Sequence, residues 1–157
     1  MNKRFLAALC AAGVLTVSAT ALAAITEQTA TEIAAKWVPA SAEHMLTKPD
    51  GNEYEVEFLH KGTNEKYKIE VNKQTAAVTE VKTKRLDNRG SQLVSLDETV
   101  VRDIVRSEYP DAVIRSVKLD RDDGLQKFEV KFTAGNLRGE MEINPETGVI
   151  IERELHY

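Results

Sequence analysis

Cysteine, long apolar runs and clustered positive charge are all scarce in this 157-residue chain, and each scarcity removes a class of function. The single cysteine, Cys10, lies near the N-terminus, so no second thiol is present for a disulfide or a Cys-based zinc site. Lys and Arg number 21 against 25 Asp and Glu, a net charge of −4 that carries no nucleic-acid footprint. Glycine and proline, at 8 and 4 residues, are too few for a collagen-like or low-complexity chain. Histidine is rarer still. His44, His60 and His156 lie in different segments without His-x-x-x-His or Glu-x-x-His ligand spacing. No Gly-x-Ser-x-Gly elbow, Walker loop or Gly-x-Gly-x-x-Gly is present, and no serine stands in a recognisable nucleophile context. No catalytic, cofactor-binding or metal residue is therefore assigned, and the expectation is a protein that is not an enzyme and carries no cofactor.

What is present begins with an address. Met1-Asn2-Lys3-Arg4 is a short positive start, and Phe5 to Val17 is almost wholly apolar. At about 13 residues that run is too short to span a hydrocarbon core, which argues against an uncleaved anchor. Ala21-Leu22-Ala23 places small residues where a signal peptidase needs them, with Ala24 following. A lipoprotein signal at Cys10 is disfavoured because Leu9 stands where a small residue is wanted. Residues 1–23 thus read as a cleaved signal peptide, with cleavage near Ala23, no membrane span afterwards, and a periplasmic or secreted product. Cleavage removes Cys10 as well as Lys3 and Arg4, which carries the net charge from −4 to −6.

The rest of the chain repeats itself. Glu53-Tyr54-Glu55-Val56-Glu57-Phe58 is echoed 74 residues later by Lys127-Phe128-Glu129-Val130-Lys131-Phe132. Ile69-Glu70-Val71-Asn72 is echoed 72 later by Met141-Glu142-Ile143-Asn144, and Pro39 by Pro110 at a distance of 71. Each copy opens with a helical pattern: Ala30, Ile33, Ala34, Trp37 and Val38 before Pro39, then Val100, Val101, Ile104, Val105 and Tyr109 before Pro110. Ser95 with Glu98 forms a capping-box pattern for the second helix, with Asp97 as the alternative cap. At its position in the first pattern Trp37 is expected in the core. Beyond each proline the chain alternates with period two, Tyr54, Val56 and Phe58 against Glu53, Glu55 and Glu57. Such strands build an antiparallel sheet with one apolar and one wet face. The expected fold is α+β, two tandem repeats, each a helix packed on a three- or four-stranded antiparallel sheet. Residues 25–82 form the first unit and 95–157 the second. Residues 83–94 connect them, as an exposed link or an irregular loop between the halves.

Two acidic groupings invite a site. Asp120-Arg121-Asp122-Asp123-Gly124 offers three carboxylates before a glycine, but the glycine is one place early for an EF-hand loop and Lys131 stands where the closing Glu belongs. A polar hairpin turn is the expectation there. Glu53, Glu55 and Glu57 lie on a wet strand face with Lys66 and Lys68 expected alongside, a solvated charge-paired surface rather than a catalytic dyad.

Tyr109-Pro110-Asp111-Ala112, Lys118-Leu119-Asp120 and Phe128-Glu129-Val130-Lys131-Phe132 lead to the closing run Met141-Glu142-Ile143-Asn144-Pro145-Glu146-Thr147-Gly148-Val149-Ile150. Through these segments, and most strongly through the last, the second unit resembles a PepSY domain. The first unit is similar but looser: Asn72-Lys73-Gln74-Thr75 keeps the Thr, while Ala76 and Ala77 replace the Gly, so its last turn is expected to differ. The resemblance implies an exported module that binds, and inhibits or chaperones, a peptidase or wall hydrolase, with no catalytic residues to transfer. Docking would use an exposed sheet edge or the charged face of Lys127, Glu129 and Lys131. The alternative is a small-ligand or metal-sensing module with a cleft between the units, which Trp37 or Tyr54 would be expected to line.

Overall fold

The computed structural model describes residues 23–157. The leader expected over residues 1–23 lies, apart from Ala23, outside them. Helix α1 (Glu27–Ala34) begins at Thr26, whose hydroxyl accepts from the Thr29 amide, and tightens into a 3₁₀ turn at Ala35–Trp37. Four strands follow, β1 (Glu43–Asp50), β2 (Glu53–His60), β3 (Glu65–Asn72) and β4 (Val78–Arg85). Helix α2 (Glu98–Glu108) then precedes β5 (Val113–Asp122), β6 (Leu125–Ala134), β7 (Leu137–Ile143) and β8 (Ile150–His156). Asp97, not Ser95, caps α2: its carboxylate accepts from the amides of Thr99 and Val100 at 2.8 and 3.0 Å, where the helix dipole also favours negative charge.

The expected pair of separate helix-on-sheet repeats is corrected. All eight strands form one antiparallel sheet, in the order β1-β2-β3-β4-β8-β7-β6-β5, and with two short α-helices beside it the described residues are mostly β. The joint is the β4–β8 pair, in which Val81 faces Leu155 and Lys82 faces Glu154. The physical reason lies in the strand edges. Two separate four-stranded sheets would expose four edges of unpaired backbone groups, and units of about 60 residues bury too little surface to be robust alone. Pairing β4 with β8 removes two of those edges, leaving only β1 and β5 open.

Both helices cover the same sheet face. Ala30 and Ala34 of α1 and Val101 and Val105 of α2 belong to one core with Val56, Phe58, Ile69, Val71, Val130, Phe132, Met141 and Ile143. That core runs across the joint through Val81 and Leu155. Trp37 departs from expectation: it is 42% exposed and packs edge-on against Tyr157 at 5.0 Å, because the 3₁₀ turn carries it off the buried stripe of α1.

The closing turns of the two units match, which corrects the expectation that the first must differ. Asn72 Oδ1 accepts from the amides of Gln74 and Thr75, and Asn144 Oδ1 accepts from those of Glu146 and Thr147, all at 3.0–3.1 Å. The next bond is also shared, Ala76 N–H to the Asn72 carbonyl and Gly148 N–H to the Asn144 carbonyl, each 2.9 Å. Ala76 adopts φ +58° and Gly148 φ +75°, so the alanine accepts a left-handed backbone that the glycine takes freely. The Asn side-chain bonds over-determine the turn.

The segment after β4 is tied down. Ser91 exchanges both backbone bonds with Gln126, and the Asn144 side-chain amide donates to Asn88 Oδ1. Gly90, at φ +117°, lets this strap approach β6 closely: a Cβ there would stand 2.4 Å from the Gln126 carbonyl oxygen.

Candidate functional site

The face opposite the helices carries the alternate residues of all eight strands, and most are charged. Across the joint Glu80 faces His156, Lys82 faces Glu154 and Lys84 faces Glu152. On neighbouring strands like charges stand opposite one another: Glu55 by Glu70 by Glu80, Lys68 by Lys82, Lys66 by Lys84, Glu142 by Glu152. Directly opposed like charges destabilise a sheet, and the side chains relieve this by pairing with opposite charges in their own row or in the rows above and below. Lys68 Nζ reaches Glu70 and Glu80, both at 2.8 Å, and Lys82 Nζ reaches Glu152 at 2.6 Å and Glu154 at 2.8 Å. Lys48–Glu55, Lys66–Glu57, Lys127–Glu142 and Lys131–Glu140 extend the pattern to both flanks. Of the three glutamates expected on a solvated, lysine-paired face, Glu57 does pair with Lys66 at 2.7 Å, but Glu55 is buried beneath Lys48 and Glu53 accepts from the Thr79 hydroxyl at 2.6 Å.

Packing tightens this network at its centre. Burial opposes the charge on Lys68 and Lys82, yet the carboxylates holding each ammonium outweigh it and raise both pKa values above the ordinary lysine range. Burial pushes the Glu152 carboxyl up, but Lys82 and Lys84 prevail and hold its pKa below the ordinary value. Glu53 goes the other way: the Thr79 hydroxyl favours its charge, but desolvation and the neighbouring Glu70 carboxylate together raise it.

Metal-type donors converge here. Glu80, Glu154 and His156 can bring one ligand atom each within 4.8 Å of the others. Lys68 and Lys82 already hold the two carboxylates, and His156 Nε2 lies 3.1 Å from Glu154, so the three are built into the ion-pair network. The Asp120–Gly124 segment is the β5–β6 hairpin, with Asp120 opposite Lys127 and the left-handed pair Asp123-Gly124 at the turn. Its carboxylates form no such donor group among the described residues. His44 bonds Thr47 at 2.8 Å and His60 bonds Ser41 and Thr63, and neither joins a metal-type donor group among the described residues.

One contact was invisible in the sequence. Ser41 Oγ lies 2.8 Å from His60 Nε2, His60 Nδ1 lies 2.6 Å from Thr63 Oγ1, and Thr63 donates to Glu65. The chain looks like a nucleophile relay, but a hydroxyl rather than a carboxylate orients the imidazole, and Ser41 and His60 line none of the depressions described here. Its members come from a loop and from either side of the β2–β3 turn, so no local motif announces it.

On the helix side a groove of about 490 Å³ lies over the joint. Tyr67, Thr83 and Arg153 floor it, and Ile104 and Glu108 of α2 wall it. Its polar groups are largely spent on each other: the Tyr67 hydroxyl donates to Glu65 at 2.9 Å, and Arg153 pairs with Glu108. Burial, then Glu65, pushes the Tyr67 phenol up to about 12, so it remains a donor at neutral pH. Neither Trp37 nor Tyr54 lines the groove; Tyr54 packs against the core beneath Lys73. Among the described residues no helix is long and apolar enough to cross a membrane.

Comparison with known proteins gives one decisive match. The family profile described as "Peptidase propeptide and YPEB domain", PepSY, fits twice, over residues 24–82 and 95–154. No curated protein matches this sequence significantly. Among solved structures, a candidate lipoprotein from Clostridium difficile 630 is 18% identical, with 74% of this chain and 84% of that one covered and a TM-score of 0.37. A BLIP-like protein from Bacteroides fragilis NCTC 9343 is 14% identical, with 82% and 85% covered and a TM-score of 0.36. A candidate periplasmic protein from Bacteroides eggerthii DSM 20697 is 12% identical, with 82% and 88% covered and a TM-score of 0.34.

Proposed function

Because this chain belongs to the PepSY family and carries two copies of its domain, we propose that it is an exported, non-enzymatic protein that binds an envelope peptidase or other hydrolase and inhibits or chaperones it. The observation that carries this reading is the uncovered face of the shared sheet. Eight strands about 4.8 Å apart, each rising about 3.3 Å per residue, give a face roughly 34 Å by 25 Å, or about 800 Å². That is the area one partner contributes to a standard protein–protein interface. The lysines and glutamates on it hold one another in place, so less side-chain freedom is lost on docking than with free surface charges. The unit boundaries near residues 82 and 95 belong to the same reading: neither unit alone presents more than half of this face.

The test is capture from an envelope extract with the mature chain from Ala24, mass spectrometry of what is retained, and assay of any retained hydrolase. Specific retention with a change in that hydrolase's activity supports the proposal. Retention of nothing beyond a charge-matched control, at low and moderate salt, refutes it for stable complexes. A fluorophosphonate probe addresses the enzyme question: Ser41 is expected to stay unlabelled, and labelling that disappears in His60→Ala would establish a serine hydrolase instead.

A further inference from the structure

The charged face is densely paired at its centre, while charges toward the β5 edge have fewer partners, and at its far corner two arginines come together. Arg115 and Arg138 have no carboxylate within ion-pair distance among the described residues. Both are exposed, and with Lys131, Thr133, Glu140 and His156 they line a depression of about 380 Å³. The backbone explains the convergence. A β-bulge in edge strand β5, between Ile114 and Ser116, lies at Arg115, whose guanidinium donates to the Thr133 hydroxyl at 3.3 Å. Thr133 is paired with Arg138 across β6–β7, and Arg138 with His156 across β7–β8.

The fold does not require this arrangement, because the first unit lacks it. Its own bulge, between His44 and Leu46, carries Met45, and at the offsets that relate the two copies Leu59 corresponds to Thr133 and Glu57 to Lys131. The counterpart of Arg138 is Lys66, which Glu57 neutralises at 2.7 Å. The first half of the sheet has its own lysine-lined depression, but Lys66, Lys68, Lys82 and Lys84 around it are each paired with a glutamate. Lys131 is partly offset by Glu140, which leaves the two guanidiniums as the uncompensated charge.

We propose that this depression receives a carboxylate of an acidic peptide segment, the part of a protein partner that docks on the sheet face. The proposal rests on the protein-binding reading above and names the chemistry of the contact. Two guanidinium forks beside a hydroxyl match a carboxylate in geometry and charge. Glu140 in the rim disfavours a more highly charged anion. The volume is that of an organic ligand site rather than of a bare ion, and the side-chain stems of Arg115, Lys131 and Arg138 supply apolar wall for the carbon chain behind the carboxylate. Because β5 is an edge strand, a segment can enter from the open side.

The test uses the mature protein and three probes: an acetylated, amidated Gly-Ser-Asp-Glu-Ser-Gly peptide, its Asn-Gln counterpart, and inorganic phosphate. The readout is NMR shifts of the Thr133, Arg138 and Gly139 amides and of the arginine side-chain N–H groups, at low salt. Saturable shifts with the acidic peptide, absent with the amide peptide and weakened at least fivefold by Arg138→Gln but not by Arg121→Gln, support the proposal. Arg121 lies on the same edge strand outside the depression and serves as the charge-matched control. Equal shifts with the amide peptide, an unchanged response in Arg138→Gln, or tighter saturation by phosphate would overturn it. Hydrolase capture is measured separately, so a silent depression beside a successful capture refutes this contact alone.

Discussion

The matched closing turns allow a paired substitution with opposite signs. Ala76 sits at φ +58° in the turn whose counterpart is Gly148 at φ +75°. An L-residue with a Cβ in the left-handed region costs about 1–2 kcal/mol. Replacing it by glycine recovers that cost but adds about 0.4–1 kcal/mol of unfolded-state freedom. Ala76→Gly should therefore stabilise the protein by about 0.5–1 kcal/mol, or roughly 1–4 °C in Tm for a chain of this size. Gly148→Ala reverses that balance and adds a clash. Its Cβ would stand 3.1 Å from Ile104 Cδ1 and 3.4 Å from Leu96 Cδ1, so the Ile104 side chain must give by a few tenths of an ångström. A total loss of about 1–2 kcal/mol is expected. Urea and thermal unfolding of the mature chain, followed by circular dichroism, measure both. A neutral or destabilising Ala76→Gly would show that the first turn is not held left-handed by its Asn72 bonds, and the reasoning from the repeat would fail.

Two further outcomes follow from the joint and its ion pairs. Leu155→Ala removes a side chain that is 6% exposed and faces Val81 across β4–β8, so a loss of about 2–4 kcal/mol in a single cooperative transition is expected; two separated transitions would contradict one continuous sheet. Glu152 has a pKa held below its ordinary 4.5 by Lys82 and Lys84, so its contribution is present above that value and is lost as the pH falls through the lower folded-state value. Glu152→Gln should thus cost about 1–2 kcal/mol at pH 7, with the urea midpoints of variant and parent converging as the pH falls below the ordinary carboxylate range. Glu53, raised instead, works in the opposite direction in both proteins, so the difference isolates Glu152; parallel curves over the whole range would refute the assignment.

Local rules were legible wherever local chemistry decides the outcome. Alternation in Glu53–Phe58 and Lys127–Phe132 put Val56, Phe58, Phe128, Val130 and Phe132 in the core and the charges on the other face, because side chains on a strand alternate with period two. The repeat, the prolines and the Thr-Gly turn carried the family resemblance without any tertiary knowledge. Trp37 failed because helical spacing was extended past Ala34, where the helix tightens. Ala76 failed because residue type predicts backbone preference, while the Asn72 bonds that override it come from neighbours.

The sequence by itself carried two similar helix-and-strand patterns, the alternation of their strands and the family resemblance. Only the tertiary structure decided that β4 and β8 join the units into one sheet, since strand pairing at a distance of about 72 residues leaves no periodic trace in either strand. It also decided which charges compensate one another. Lys68 has Glu70 two residues along its own strand, but only the register of β3 on β4 gives it Glu80, and among the described residues Arg115 and Arg138 are left with no carboxylate partner. The candidate site is therefore a property of register and twist: ion pairing depends on a few ångströms across strands, whereas composition and periodicity report only which side of the sheet a residue takes.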